Sequence, residues 1–178
     1  MTPARFDPFN NRLARDIRNT LSKSFLQALE QGNVTFFQRS IARYLQQELE
    51  PVFVSYISSR RKKYEEVFAL IITEKEEDIL QKAAIFWEYK LYFEMHELLE
   101  PFWKKAKGAE RKALQGLIRA AGMKIHAENN NRKAAVSMGT KALAALDEYG
   151  AVLAGFSKRD EVREDVAKTL TAIRNQYT

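Results

Sequence analysis

Leu13, Ile17, Leu21 and Phe25 recur at every fourth position, and Leu29 completes the stripe. Arg12, Arg15, Arg18 and Lys23 occupy the other faces, which is the pattern of an amphipathic helix. Gly32 and Asn33 end it. Before it, Pro3 and Pro8 punctuate an expected extended arm from Met1 to Phe9. A second helix is predicted from about Thr35 to Leu49, with Phe37, Ile41, Tyr44 and Leu45 inward. Pro51 starts or kinks a third, whose apolar face holds Val52, Phe53, Tyr56 and Ile57. Thr73 and Glu76 have the spacing of a capping box, so the next helix is expected to begin there, with Ile79, Ala83 and Phe86 inward. The segment carrying His96 runs as a helix to about Ala106, closed by Gly108.

From about Glu110 to Glu128 the stripe is Leu114, Leu117, Ile118, Ala121 and Ile125. Asn129, Asn130 and Asn131 form a loop. Ala134 to Tyr149 is alanine-rich, with Met138, Leu143 and Leu146 along one side. Gly150 and Gly155 mark a break, and Ser157 is placed to cap a last helix bearing Val162, Val166, Leu170 and Ile173. No segment alternates as a strand does. The chain is therefore expected to be all-α, a helical bundle of antiparallel helix hairpins with about six or seven helices. Residues 1–72 read as an N-terminal helical extension and residues 73–178 as a core with a C-terminal helix.

Composition narrows the chemistry. There is no cysteine, which excludes disulfides, thiolate metal sites and cysteine nucleophiles. The N-terminus lacks the apolar region of a signal peptide, and no stretch approaches the roughly 18 apolar residues of a membrane span. A mitochondrial-type targeting helix is the competing reading of the Arg-rich start, and Asp7, Asp16 and Glu30 weigh against it. The expectation is a soluble, cytoplasmic protein without a membrane partner. The formal net charge of +6 favours acidic partners only slightly, because basic and acidic residues are interspersed. Arg60, Arg61, Lys62 and Lys63 form the one dense basic run. It lacks the interleaved aromatics of a nucleic-acid surface and reads better as a solvated face answered by Glu65 and Glu66. Phosphate loops, dinucleotide fingerprints and nucleophile elbows are missing.

Candidate chemistry gathers in YFEMHELLEPFW, Tyr92 to Trp103. At about 100° per residue, His96 and Glu100 share one helix face, Trp103 falls beside them and Glu97 flanks them. Glu94 points to the far side. A second row, Gln115, Arg119, Gly122 and His126, lines up within roughly 40° on the following helix. From Ala84 to Tyr149 the chain resembles the prokaryotic domain-of-unknown-function family 309. The resemblance rests on Tyr92, Phe93, Glu94, His96, Glu97, Glu100 and Trp103, then Leu114, Gln115, Gly116, Leu117 and Ile118, then His126. It implies a small helical bundle, and the family has no assigned activity. Where the family has an asparagine-glycine turn before the tyrosine, this chain has Glu88 and Lys90, so the turn survives without glycine or two helices fuse. Asn130 and Asn131 stand at a second turn and Ala134-Ala135 at a later glycine-alanine pair.

Three uses of these side chains follow. His96, Glu97, Glu100 and His126 offer nitrogens and carboxylates suited to a divalent cation such as zinc, manganese or iron. The zinc signature H-E-x-x-H is not met, since Glu100 stands where its second histidine would be. A histidine held by a carboxylate is also a general base, with Gln115 and Arg119 to orient an anionic substrate, but Ser137 and Thr140 have no activating context as nucleophiles. The third use is structural, a His–Glu–Gln–His ladder fixing helix register. Pro101 frees the carbonyl of Glu97 and would kink the helix. The reading that fits best is a binding or interaction module with this polar cluster at its centre and a protein partner or homodimer as a possible associate. The alternatives are a metal-dependent hydrolase-like enzyme and, least favoured, RNA binding through Arg60 to Lys63.

Overall fold

The computed structural model describes residues 5–175, and Pro3 lies outside them. Eight α-helices and one short 3-10 turn make up the regular structure of the described residues. They form two compact units, Met1–Glu76 and Glu77–Thr178.

In the first unit α1 spans Arg12–Gln31, α2 Thr35–Leu45 and α3 Pro51–Glu74. Asn11 caps α1 by accepting from the Ala14 N–H at 2.9 Å. Among the described residues of the expected arm, 5–9, the chain is held by local hydrogen bonds rather than extended. Asp7 gathers the N–H groups of Phe9 and Asn10, and Arg15 donates to the carbonyls of Pro8 and Phe9. Phe6 stacks on Tyr56 with ring centroids 3.5 Å apart. The core is an aromatic trio from three helices: Phe25 lies flat on Tyr64 at 4.1 Å, and Phe37 meets both edge-on.

Two boundaries differ from the sequence reading. α2 stops at Leu45, because Pro51 holds Glu50 extended at ψ 148° and the residues between are mostly polar and exposed. Pro51 therefore starts α3 rather than kinking it. The capping box at Thr73 is not used, since α3 runs on through Thr73, following its buried face of Tyr64, Val67 and Ile71. Asp78 is the working cap of the next helix, accepting from the N–H groups of Leu80 and Gln81.

In the second unit α4 spans Ile79–Glu88, α5 Tyr92–Lys105, α6 Gly108–Glu128, α7 Arg132–Tyr149 and α8 Arg159–Asn175. Helices α6 and α7 run antiparallel in close contact. A Cβ on Gly116 would stand 3.1 Å from that of Ala145, and one on Gly122 would stand 2.8 Å from the Met138 sulfur. Gly139 of α7 in turn faces Met123 of α6 and Leu170 of α8. Absent side chains thus set these spacings. Ser157 does not cap α8; its hydroxyl donates to Gln81 Oε1, and Gln81 donates to the Gly155 carbonyl.

The count of eight exceeds the expected six or seven because α4 and α5 stay separate. Lys90 takes φ +55°, the left-handed conformation that closes α4. Its N–H bonds the Trp87 carbonyl and that of Leu91 bonds the Phe86 carbonyl, the paired hydrogen bonds of a Schellman end. Lys75 and Asn130 close α3 and α6 in the same way, where glycine is the usual occupant. A left-handed L-residue costs about 1–2 kcal/mol, and glycine loses about 0.5–1 kcal/mol more backbone entropy than alanine on folding. Lys90→Gly is therefore expected to raise stability by about 0.5–1 kcal/mol, read as a higher urea midpoint at unchanged slope. A lower midpoint would show that the lysine side chain contributes more than its backbone costs.

Candidate functional site

Helix α5 builds the site alone. Its N-terminus follows the Lys90 turn, and the Met95 N–H bonds the Leu91 carbonyl to start the ladder. Tyr92, Met95 and Leu99 are buried, which leaves the half-buried His96, Glu97 and Glu100 on an adjoining face. The helix continues through Pro101 to Lys105. Because proline has no N–H, the Glu97 carbonyl loses its usual helical donor.

His96 Nδ1 lies 3.2 Å from Glu97 Oε1. One donor atom each from His96, Glu97 and Glu100 falls within 4.8 Å of the others. His126 is not within this group, and the four-residue set expected from sequence is a three-residue set here. Lys104 Nζ sits 2.9 Å from Glu100 Oε1. That ammonium, with a smaller contribution from His96, holds the Glu100 carboxyl below its ordinary pKa against the opposing effect of burial.

Trp103 is half-buried, with the Arg111 guanidinium over its ring at 4.4 Å. Arg111 also donates to the carbonyls of Trp103 and Lys104 at 2.9 and 3.2 Å. It thereby ties the end of α5, where carbonyls lack helical donors, to α6. Trp103 belongs to this joint, half-buried beneath the Arg111 guanidinium.

Gln115, Arg119 and His126 are half-buried on α6. No side-chain hydrogen bond among the described residues joins Gln115 or Arg119 to the α5 trio. The physical reason is in their own row: Gly122 abuts Met138, so part of that face turns to α7. His126 occupies the last turn of α6, and burial pushes its pKa down, disfavouring the charged form.

Two polar residues escaped the sequence reading. Glu94, across α5 from the trio, is a fully buried carboxylate. Lys124, 16% exposed, sits 5.5 Å from the Tyr92 ring and 5.9 Å from that of Trp87, and pairs with Asp165 at 2.9 Å. It also donates to Thr169. Burial, then the nearby Asp165 and Glu128, push the Tyr92 hydroxyl's pKa upward. The only hint in the sequence was a lysine between Met123 and Ile125.

The second unit is thus an all-α bundle of hairpins with a half-buried His/Glu/Glu turn on one helix. Residues 80–138 match the model of a family described as a domain of unknown function, DUF309. The match runs from the start of α4 into α7 and contains the trio, Trp103, Gln115, Arg119 and His126, so the resemblance read from the sequence holds over this segment. No curated protein and no solved structure matches the chain. No helix of the described residues is long and apolar enough to cross a membrane.

Proposed function

We propose that the C-terminal unit is a binding module, placed in the cytoplasm, whose ligand is a divalent cation held on α5 by His96, Glu97 and Glu100. The observation that carries this is the convergence of one imidazole and two carboxylate donors within 4.8 Å. One nitrogen and two anionic oxygens suit manganese, iron or zinc, and two carboxylates balance the charge of a divalent ion. Half-burial restrains the three side chains, so less freedom is lost on binding.

Three protein ligands leave coordination positions open for water. This keeps metal-dependent hydrolysis as the second reading, to be assayed on ester and phosphoester substrates with the loaded protein. RNA binding gains no support. Arg60 is engaged by the Tyr56 hydroxyl and Arg61 by Glu65, each one turn away on α3.

The test is metal content by mass spectrometry on untagged protein, beside thermal melts with and without chelator. Stoichiometric zinc, manganese or iron is expected, with a melt that falls on chelation. A ligand at a hundred times its Kd stabilises by about 2.7 kcal/mol, enough to move the melt by several degrees. His96→Gln is expected to abolish the metal-dependent part of the melt while keeping the helical signal. A metal-free protein whose melt ignores both chelator and added cation would leave the trio as a structural network.

A further inference from the structure

Resting on the cation reading above, we infer that Lys104 is the site's built-in competitor, an ammonium seated on Glu100 that a divalent cation must displace. Lys104 and Glu100 lie one helical turn apart with Nζ to Oε1 at 2.9 Å. Glu100 is one of the three residues whose donors converge. An ammonium in hydrogen-bond contact and a metal ion on the same carboxylate repel one another and compete for its lone pairs. Binding therefore couples to release of the lysine. The lysine side chain is 62% exposed, against 34% for Glu100, so it can swing into water without disturbing the core.

This arrangement gives the site two occupied forms. With Lys104 seated, Glu100 is paired and the trio carries less net negative charge. With a cation bound, Lys104 is free on the exposed face of α5. An exposed pair of this spacing is weak, so it yields readily to an ion that gains three ligands. It also raises the concentration at which the ion binds, which biases the site against loosely held cations.

The experiment is calorimetric titration of manganese and of zinc into metal-free full-length protein, comparing wild type, Lys104→Met and Lys105→Met. Methionine keeps much of the side-chain length and removes the charge. Lys105 is the neighbouring lysine on the same helix, so its variant removes an equal charge without touching Glu100. Lys104→Met is expected to bind about two- to fivefold more tightly than wild type, the range an exposed pair supports, with Lys105→Met close to wild type. An equal gain in both variants would assign the effect to the general field and overturn the competitor role. Wild-type affinity in Lys104→Met would overturn it too, leaving the cation reading standing. If neither wild type nor Lys104→Met takes up either ion, both the competitor and the cation reading fall.

Discussion

Phe25→Ala is expected to cost the N-terminal unit about 3–5 kcal/mol, the range for truncating a buried phenylalanine. Phe25 is fully buried, lies flat on Tyr64 and meets the edge of Phe37, so its ring joins three helices at one point. Alanine would lose the apolar burial, open a cavity and dissolve both ring contacts, which add about 0.5–1.5 kcal/mol per pair beyond area. The consequence is large because the unit is small. At roughly 0.05–0.15 kcal/mol per residue, a unit of this size has only about 4–11 kcal/mol to lose. Urea titration followed by far-UV circular dichroism measures the loss. Both tryptophans, Trp87 and Trp103, lie in the other unit, so their fluorescence reports that unit by itself. A loss under about 1.5 kcal/mol would mean that the trio is not the core it looks to be.

Gly116→Leu is expected to cost the C-terminal unit about 3 kcal/mol, at the upper end for forcing volume into a packed interface. Even a Cβ here would stand 3.1 Å from Ala145 Cβ and 3.2 Å from Leu146 Cγ. Ala145 has no flexible end to move aside, so the two helices have to separate. Helix propensity works the other way, by up to about 1 kcal/mol when glycine is replaced, and is too small to win. The pair Gly116→Ala with Ala145→Gly tests the cause. If contact between these two positions is responsible, Ala145→Gly recovers stability in the Gly116→Ala background, and a double-mutant cycle shows the coupling. Simple additivity of the two changes would point elsewhere.

The helical class was plain from the stripes. Ile17, Leu21 and Phe25 recur on one face, and the structure buries all three. What the sequence could not show were helix ends made by backbone geometry. Lys75 and Lys90 take left-handed conformations without any residue signal, because two backbone hydrogen bonds and the packing of the flanking helices outweigh the cost to a lysine. Thr73 misled for the same reason: its capping pattern was genuine, but the apolar face of α3 continued beneath it. His96, Glu97 and Glu100 were legible as a group because one helix holds all three, so their spacing alone fixes their approach. His126 stands on another helix, and only packing could decide whether it joined them. Glu94 lies across α5 from the trio, and its burial was not legible because an ideal helical wheel has no knowledge of how many sides of the helix are covered; the structure buries it completely.

The seat of Lys124 bears on the order in which the unit assembles. Its ammonium faces rings from α4 and α5, but its carboxylate, Asp165, belongs to the last helix of the chain. During synthesis the rings and the lysine emerge before that helix exists, and water serves as the interim partner. Arrival of α8 exchanges water for Asp165 and Thr169 and at the same time covers Gly139 with Leu170. α6 lies against α5, α7 and α8, whereas α8 packs mainly on α7, so the amides of α8 are expected to exchange with solvent ahead of those in α6.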